Sequence, residues 1–107
     1  MKDYKKIAEE FGKEVSKLLG DKLVRVVLFG SVARGEEREN SDIDVLIIVR
    51  GDSWKIQQDV SGIVLKYLLK YGVYISAKVV TKEEFEIMGD IHSPFYHEVF
   101  REGIRIA

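Results

Sequence analysis

Apolar residues recur along this chain at two different spacings, and each spacing predicts a different kind of element. Between Asp3 and Gly20 they fall every three or four positions, which predicts an amphipathic helix that Asp3 caps and Gly20 ends. Residues 54–71 show the same period and predict a second helix. Leu23–Phe29 and residues 42–49 are almost continuously apolar, which predicts strands buried on both faces of a sheet.

Shorter signals divide the rest of the chain. Residues 73–80 predict a third strand with one apolar face and one more polar face. Thr81 and Glu84 have the spacing of a capping box, which predicts the start of a short helix. Ser93-Pro94 predicts the start of another helix over residues 94–102, and a short apolar end follows.

The predicted order of elements is α-β-β-α-β-α-α. This order favours an α/β or α+β fold in which helices pack on a mixed sheet, with residues 1–107 forming one domain. Hydrophobic residues make up 46% of the chain, which is enough for a real core. In the helix 54–71, we expect Trp54, Tyr67 and Tyr71 to lie in that core or at an interface.

Composition excludes some classes of function. The chain has no cysteine, so disulfides and thiolate zinc sites are impossible. Its 17 basic and 18 acidic residues give a net charge of −1, which argues against direct nucleic-acid binding. The apolar runs are too short to cross a bilayer, and the N-terminus begins an amphipathic pattern rather than an apolar one. We therefore expect a cytoplasmic protein with no membrane partner.

The segment between the first two strands carries the candidate chemistry. Gly30 and Ser31 close the first apolar run, and Asp42 and Asp44 open the second. Residues i and i+2 of a strand share a face, so the two carboxylates are aimed together, and a divalent cation between them would relieve their repulsion. Mg²⁺ suits such a site because it takes its remaining ligands from water and substrate phosphates. The alternative is a surface hairpin with two solvated aspartates.

This pattern resembles the signature of the DNA polymerase β-type nucleotidyltransferase superfamily, in particular its minimal nucleotidyltransferases. The shared features are Gly-Ser, a spacer of about ten residues (32–41 here), and Asp-x-Asp with a strand on each side. The resemblance covers nearly the whole chain and implies the polymerase β-like fold. It also implies that Asp42 and Asp44 are catalytic and bind Mg²⁺.

The resemblance implies further contacts with a nucleotide. The Gly30 backbone and Ser31 would contact the β- and γ-phosphates of a nucleoside triphosphate. Arg34 would add positive charge near the leaving pyrophosphate, or would instead pair with Glu36 or Glu37 at the surface.

One expected feature of the family is missing. Active members place a third carboxylate on the next strand, facing the aspartate pair. Ser76 or Lys78 occupies that position here, depending on the register, and neither is acidic. Lys78 could instead contact the triphosphate. Glu83 and Glu84 follow this strand, and we expect them to cap the next helix.

The function implied by the resemblance is metal-dependent transfer of a nucleoside monophosphate, AMP from ATP, to a hydroxyl group. The chain is too short to hold a large acceptor, so a partner must supply it. The resemblance suggests a small helical protein of the HEPN type, with this chain as its antitoxin. The alternative, kept open by the missing acid, is a degenerate module that binds a nucleotide or a partner without chemistry. Self-association is left open.

Overall fold

The computed structural model describes residues 2–107 and shows a four-stranded sheet with helices on both faces. In chain order the elements are α1 (Tyr4–Leu19), a 3₁₀ turn (Gly20–Lys22), β1 (Leu23–Phe29), α2 (Gly30–Arg34), β2 (Ile43–Val49), α3 (Ser53–Tyr71), β3 (Ile75–Thr81), α4 (Lys82–Asp90), α5 (Pro94–Glu102) and β4 (Ile104–Arg105). Among these residues, no helix is both long and apolar enough to span a membrane.

The strands lie in the order β3-β2-β1-β4. β1 runs antiparallel to both β2 and β4, whereas β2 and β3 are parallel and are joined through α3. Alternate residues of the central strands pack against α1 and α3 on one face, in a core that includes Phe11, Val45 and Tyr67. The opposite face packs against α4 and α5 in a smaller core. The predicted mixed sheet with packed helices is confirmed.

Local sequence signals set the ends of the helices. The Asp3 side chain accepts a hydrogen bond from the Lys6 N–H at 3.1 Å and caps α1. Thr81 and Glu84 form the predicted capping box, because each side chain accepts from the backbone N–H of the other residue. Gly72 ends α3 in the left-handed conformation. These contacts satisfy N–H and C=O groups that the helix leaves unpaired at its ends.

Three sequence-based expectations about boundaries were wrong. Residues 32–41 were interpreted as a spacer between the first two strands, but the first residues of that spacer belong to the short helix α2, which spans Gly30–Arg34. Val32 is fully buried and anchors that helix to the core. Five residues are too few for a helical period to appear in the sequence. The third strand also begins at Ile75 rather than residue 73, and Asp42 lies just before β2 rather than in it.

The aromatic residues of α3 take different environments. Tyr67 is fully buried, its ring packs edge-on against Phe11, and its hydroxyl donates to Glu14 at 3.0 Å. Trp54 is 73% exposed, so it lies outside the core, and its alternative placement at an interface stays a prediction. It lies in the first turn of α3, on the side of the helix that faces solvent. Tyr71 is half-buried, and its hydroxyl donates to Glu10 on α1.

Candidate active site

The two aspartates lie at the start of the central strand β2. Asp44 is the second residue of that strand and pairs with Phe29 of antiparallel β1 and with Ser76 of parallel β3. Asp42 precedes the strand and is exposed, whereas Asp44 is half-buried. Because β1 and β2 are antiparallel, the start of β2 lies beside the end of β1, where the chain turns into α2.

Gly30 brings the turn after β1 directly against Asp44. It has a φ of +74°, in the left-handed region, and a Cβ atom at this position would lie 2.2 Å from the Asp44 Oδ2. Only glycine allows both this backbone conformation and this close approach. The Gly-Ser turn and the carboxylate consequently form one unit. A surface hairpin with two solvated aspartates does not describe this arrangement.

Negative charge is concentrated at Asp44. Partial burial raises the pKa of its carboxyl group, and the neighbouring negative charges of Asp42 and Glu98 raise it further, while Arg34 acts in the opposite direction. An ionised carboxylate that is partly desolvated and close to like charges is stabilised by a cation. The electrostatics of the site therefore favour a bound positive ion.

The donor atoms available suit Mg²⁺. Within residues 2–107, no three carboxylate or imidazole groups lie close enough together to hold a metal ion by themselves. Two carboxylates completed by waters and substrate phosphates are a usual Mg²⁺ environment. The residues that would hold such an ion are Asp42 and Asp44.

Hydrogen bonds fix the loop that joins the turn to the aspartates. The Ser31 carbonyl accepts from the Glu36 N–H at 2.9 Å, and Gly35 ends α2 in the left-handed conformation. Near the other end of the loop, the Ser41 hydroxyl accepts from the Arg38 N–H at 2.7 Å. Ser31 itself is half-buried in the first turn of α2, next to Gly30. Its predicted contact with phosphates stays a prediction.

Arg34 is engaged in ion pairs at the end of α2. Its Nε donates to Glu36 at 2.6 Å, and its Nη1 donates to Glu102 of α5 at 2.9 Å. Pairing with Glu36 was one of the two alternatives drawn from the sequence, whereas the contact with Glu102 was not foreseen. The second pair ties α5 to the loop of the candidate site. The role of Arg34 toward pyrophosphate stays a prediction.

The register of β3 separates the two positions considered for a third acid. Ser76 pairs with Asp44, whereas Lys78 pairs with Leu46, one step further along the same face of the sheet. The Lys78 Nζ lies 4.9 Å from the centroid of the Phe95 ring. Ser76 is therefore the β3 residue beside the carboxylate. Contact of Lys78 with a triphosphate stays a prediction.

Sequence reasoning missed Glu98 of α5, which is half-buried and whose charge acts on Asp44. Glu98 lies far from the Asp-x-Asp motif along the chain and belongs to no local pattern. A groove of about 700 Å³ lies near the start of α1 and is lined by Lys2, Tyr4, Gly35, Glu37, Arg38 and Glu39. Neither aspartate lines it, so the groove is not the site of the carboxylates.

Comparison with known proteins now identifies the family. A family model described as "Nucleotidyltransferase domain" matches residues 5–104. Two proteins of Methanocaldococcus jannaschii, each named "Putative protein adenylyltransferase", are similar to the chain. One is 41% identical over 101 residues, which cover 94% of this chain and 95% of that protein. The other is 40% identical over 99 residues, which cover 92% of each.

Solved structures agree on the fold. The structure of a "putative minimal nucleotidyltransferase" has a TM-score of 0.60 and 28% identity, and the match covers 96% of this chain and 95% of that one. A toxin-antitoxin structure with AMP-PNP has a TM-score of 0.54 and 19% identity, over 92% of this chain and 72% of that one. A structure of the tri-AMPylated Shewanella oneidensis HEPN toxin in complex with MNT antitoxin has a TM-score of 0.52 and 15% identity, over 98% and 72%.

The last two likenesses are low in identity and show the fold alone. The family model and the two close relatives cover nearly the whole chain, and the first solved structure matches it almost end to end. The chain therefore belongs to the nucleotidyltransferase domain family, as an enzyme of the minimal nucleotidyltransferase type.

Proposed function

We propose that this nucleotidyltransferase moves AMP from ATP onto a hydroxyl group of a partner protein, and that residues 1–107 act as one domain. The observation that carries the proposal is the contact between Gly30 and Asp44, where a Cβ atom would lie 2.2 Å from the carboxylate oxygen. This contact places the turn, which would bind phosphates, directly against the carboxylate, which would bind the metal ion of those phosphates.

The proposed reaction is a substitution at phosphorus. The acceptor hydroxyl oxygen attacks the α-phosphorus of ATP and forms a new P–O bond. The bond from the α-phosphorus to the oxygen that bridges to the β-phosphate breaks, pyrophosphate leaves, and the hydroxyl proton passes to solvent. Mg²⁺, when bound, neutralises phosphate charge and favours the ionised hydroxyl.

The chain's own residues would bind and orient the triphosphate. Gly30 and Ser31 begin α2, and Gly30 packs against Asp44; we assign the Gly30 N–H and the Ser31 hydroxyl to the β- and γ-phosphates. Asp42 and Asp44 would hold Mg²⁺ against the same phosphates. Arg34 would approach the leaving pyrophosphate after exchanging one of its present ion pairs.

The comparisons support a protein as the acceptor. The M. jannaschii relatives carry a name for AMP transfer to proteins and are matched over almost their full length. Proteins of the same fold occur in toxin-antitoxin complexes, one with AMP-PNP and one with an AMPylated HEPN toxin. We therefore propose a HEPN-type toxin as the partner and this chain as the antitoxin that modifies it.

The test is transfer of label from [α-³²P]ATP to a purified candidate protein of the HEPN type. We expect label in that protein only when Mg²⁺ is present, and strong loss of label with Asp42→Asn or Asp44→Asn. Asp59→Asn is the matched control, because Asp59 is exposed on α3 away from the site. Transfer that survives both site variants would contradict the proposal.

A second candidate is a module that binds ATP without transferring AMP. The observation that favours it is Ser76, which pairs with Asp44 yet is not acidic. Both functions predict that calorimetry detects binding of Mg²⁺ and ATP. They differ in the release of pyrophosphate in the presence of the partner, which a binding module would not show. Pyrophosphate release that depends on Asp44 would exclude the second candidate.

A further inference from the structure

One face of α5 lies over the candidate site. Phe95, Glu98 and Glu102 are spaced by three and four residues and share that face of the helix. The Phe95 ring packs edge-on against Phe29 with centroids 5.4 Å apart, and Phe29 pairs with Asp44.

The other end of this face is also held to the site. Glu102 accepts from Arg34 at 2.9 Å, at the end of α2. Glu98 lies between Phe95 and Glu102, one turn from each. Because both ends of the face contact the chain on either side of the Gly-Ser turn, Glu98 faces that turn and the start of β2.

The charges around this face do not balance. Glu98 takes part in none of the ion pairs found within residues 2–107. Arg34 is the cation that acts on Asp44, and it is already bonded to two other carboxylates. Asp42, Asp44 and Glu98 therefore leave negative charge that an external cation would neutralise.

We propose that Glu98 is the third carboxylate of the metal site and that it accepts a hydrogen bond from a water molecule on the ion held by Asp42 and Asp44. This inference rests on the proposed function. A water must intervene, because no three such groups within residues 2–107 lie close enough to hold a metal directly. Mg²⁺ keeps several of its waters when it binds to proteins, and groups that bond to such waters tune metal affinity.

The experiment is titration of the full chain with Mn²⁺, followed by the electron paramagnetic resonance signal of the free ion. We expect Glu98→Gln to weaken Mn²⁺ binding by about tenfold, as loss of an outer partner of a metal commonly does. Asp44→Asn should weaken it further. Glu86→Gln removes the same charge from an exposed position on α4 and should leave the affinity unchanged.

Two further measurements separate a metal role from a structural one. Glu98→Asp keeps the charge on a shorter side chain and should recover part of the affinity. Thermal melting without metal should show that Glu98→Gln is folded and no less stable than Glu86→Gln. A charge-retaining variant that binds no better than Glu98→Gln would contradict the proposal.

The outcomes also separate this inference from the proposed function. If Asp44→Asn weakens binding and Glu98→Gln behaves like Glu86→Gln, the proposed function stands and the role of Glu98 is refuted. If Asp44→Asn has no effect on Mn²⁺ affinity, the aspartates do not hold the ion, and both proposals fail.

Discussion

Replacing Gly30 by alanine should disable the candidate site by a steric route that the structure specifies. The new Cβ atom would lie 2.2 Å from the Asp44 Oδ2, 3.1 Å from its Cγ and 3.2 Å from its Cβ. Because the crowding involves the inner atoms of the side chain as well as its tip, Asp44 must rotate as a whole away from the turn. We expect its carboxylate to leave the position in which it could share an ion with Asp42.

The magnitude follows from two contributions. An alanine at a φ of +74° costs about 1–2 kcal/mol in backbone energy. Forcing Asp44 from its rotamer adds about 0.5–1.5 kcal/mol. Gly35 has a φ of +71°, and a Cβ atom there would meet no atom within 4 Å, so Gly35→Ala carries the first contribution without the second. Each 1 kcal/mol lowers the melting temperature of a domain this small by roughly 4–8 °C.

The decisive assay is calorimetric binding of Mg²⁺ and ATP to the two alanine variants. Gly30→Ala should lose affinity by tenfold or more, which corresponds to about 1.4 kcal/mol of binding free energy. Gly35→Ala should melt at a lower temperature but bind like the unchanged protein. Equal binding by both variants would refute the reasoning, because the contact with Asp44 would then have no part in binding.

Three other outcomes are expected. Asp44→Asn should raise the metal-free melting temperature near pH 7, because the raised pKa of Asp44 means that its ionisation destabilises the fold. This gain in melting temperature should vanish as the pH falls below about 3.8, the ordinary pKa of the carboxyl group. Melting curves that still showed the gain there would contradict this reasoning. Ser76→Asp should raise Mg²⁺ affinity in calorimetry, because Ser76 pairs with Asp44. Lys78→Asp should raise that affinity less, because Lys78 pairs with Leu46, and the reverse order of affinities would place the missing acid at residue 78. Tyr67→Phe should cost about 1 kcal/mol in chemical denaturation, because it removes the hydrogen bond to Glu14, and an unchanged midpoint would show that this bond adds nothing.

Sequence alone was sufficient for features that local chemistry decides. Leu23–Phe29 was predicted with the bounds that β1 has, because a continuous apolar run fits a strand buried on both faces. Asp3 and the capping box at Thr81 act within a few residues of their own positions, so tertiary contacts could not override them. The short helix α2 was not predictable, since it depends on the burial of Val32 against a core assembled from distant elements.

The candidate site likewise has one part that sequence spacing predicts and another part that only tertiary packing decides. Gly30 directly follows β1, and Asp42 and Asp44 lie at the start of β2, so their proximity follows from spacing once β1 and β2 pair. The helix α5 reaches the site only through tertiary packing, in which Phe95 contacts Phe29 and Glu102 pairs with Arg34. No periodicity in the sequence reports such a contact, which is why Glu98 was overlooked.

The placement of the aspartates at the start of β2 explains why the electrostatics of the site favour a cation. From Val45 to Val49 the strand is buried on both faces, whereas Asp44 is half-buried and Asp42 is exposed. The surroundings of the chain therefore change from water at Asp42 to apolar core from Val45 onward, and Asp44 lies at the boundary. Gly30 and Ser76 flank Asp44, and β2 is the inner strand between β1 and β3, so the carboxylate is partly shielded from water. Partial burial and the neighbouring charges of Asp42 and Glu98 raise the pKa of Asp44, so its ionised form is destabilised, and a metal ion shared with Asp42 would stabilise that form.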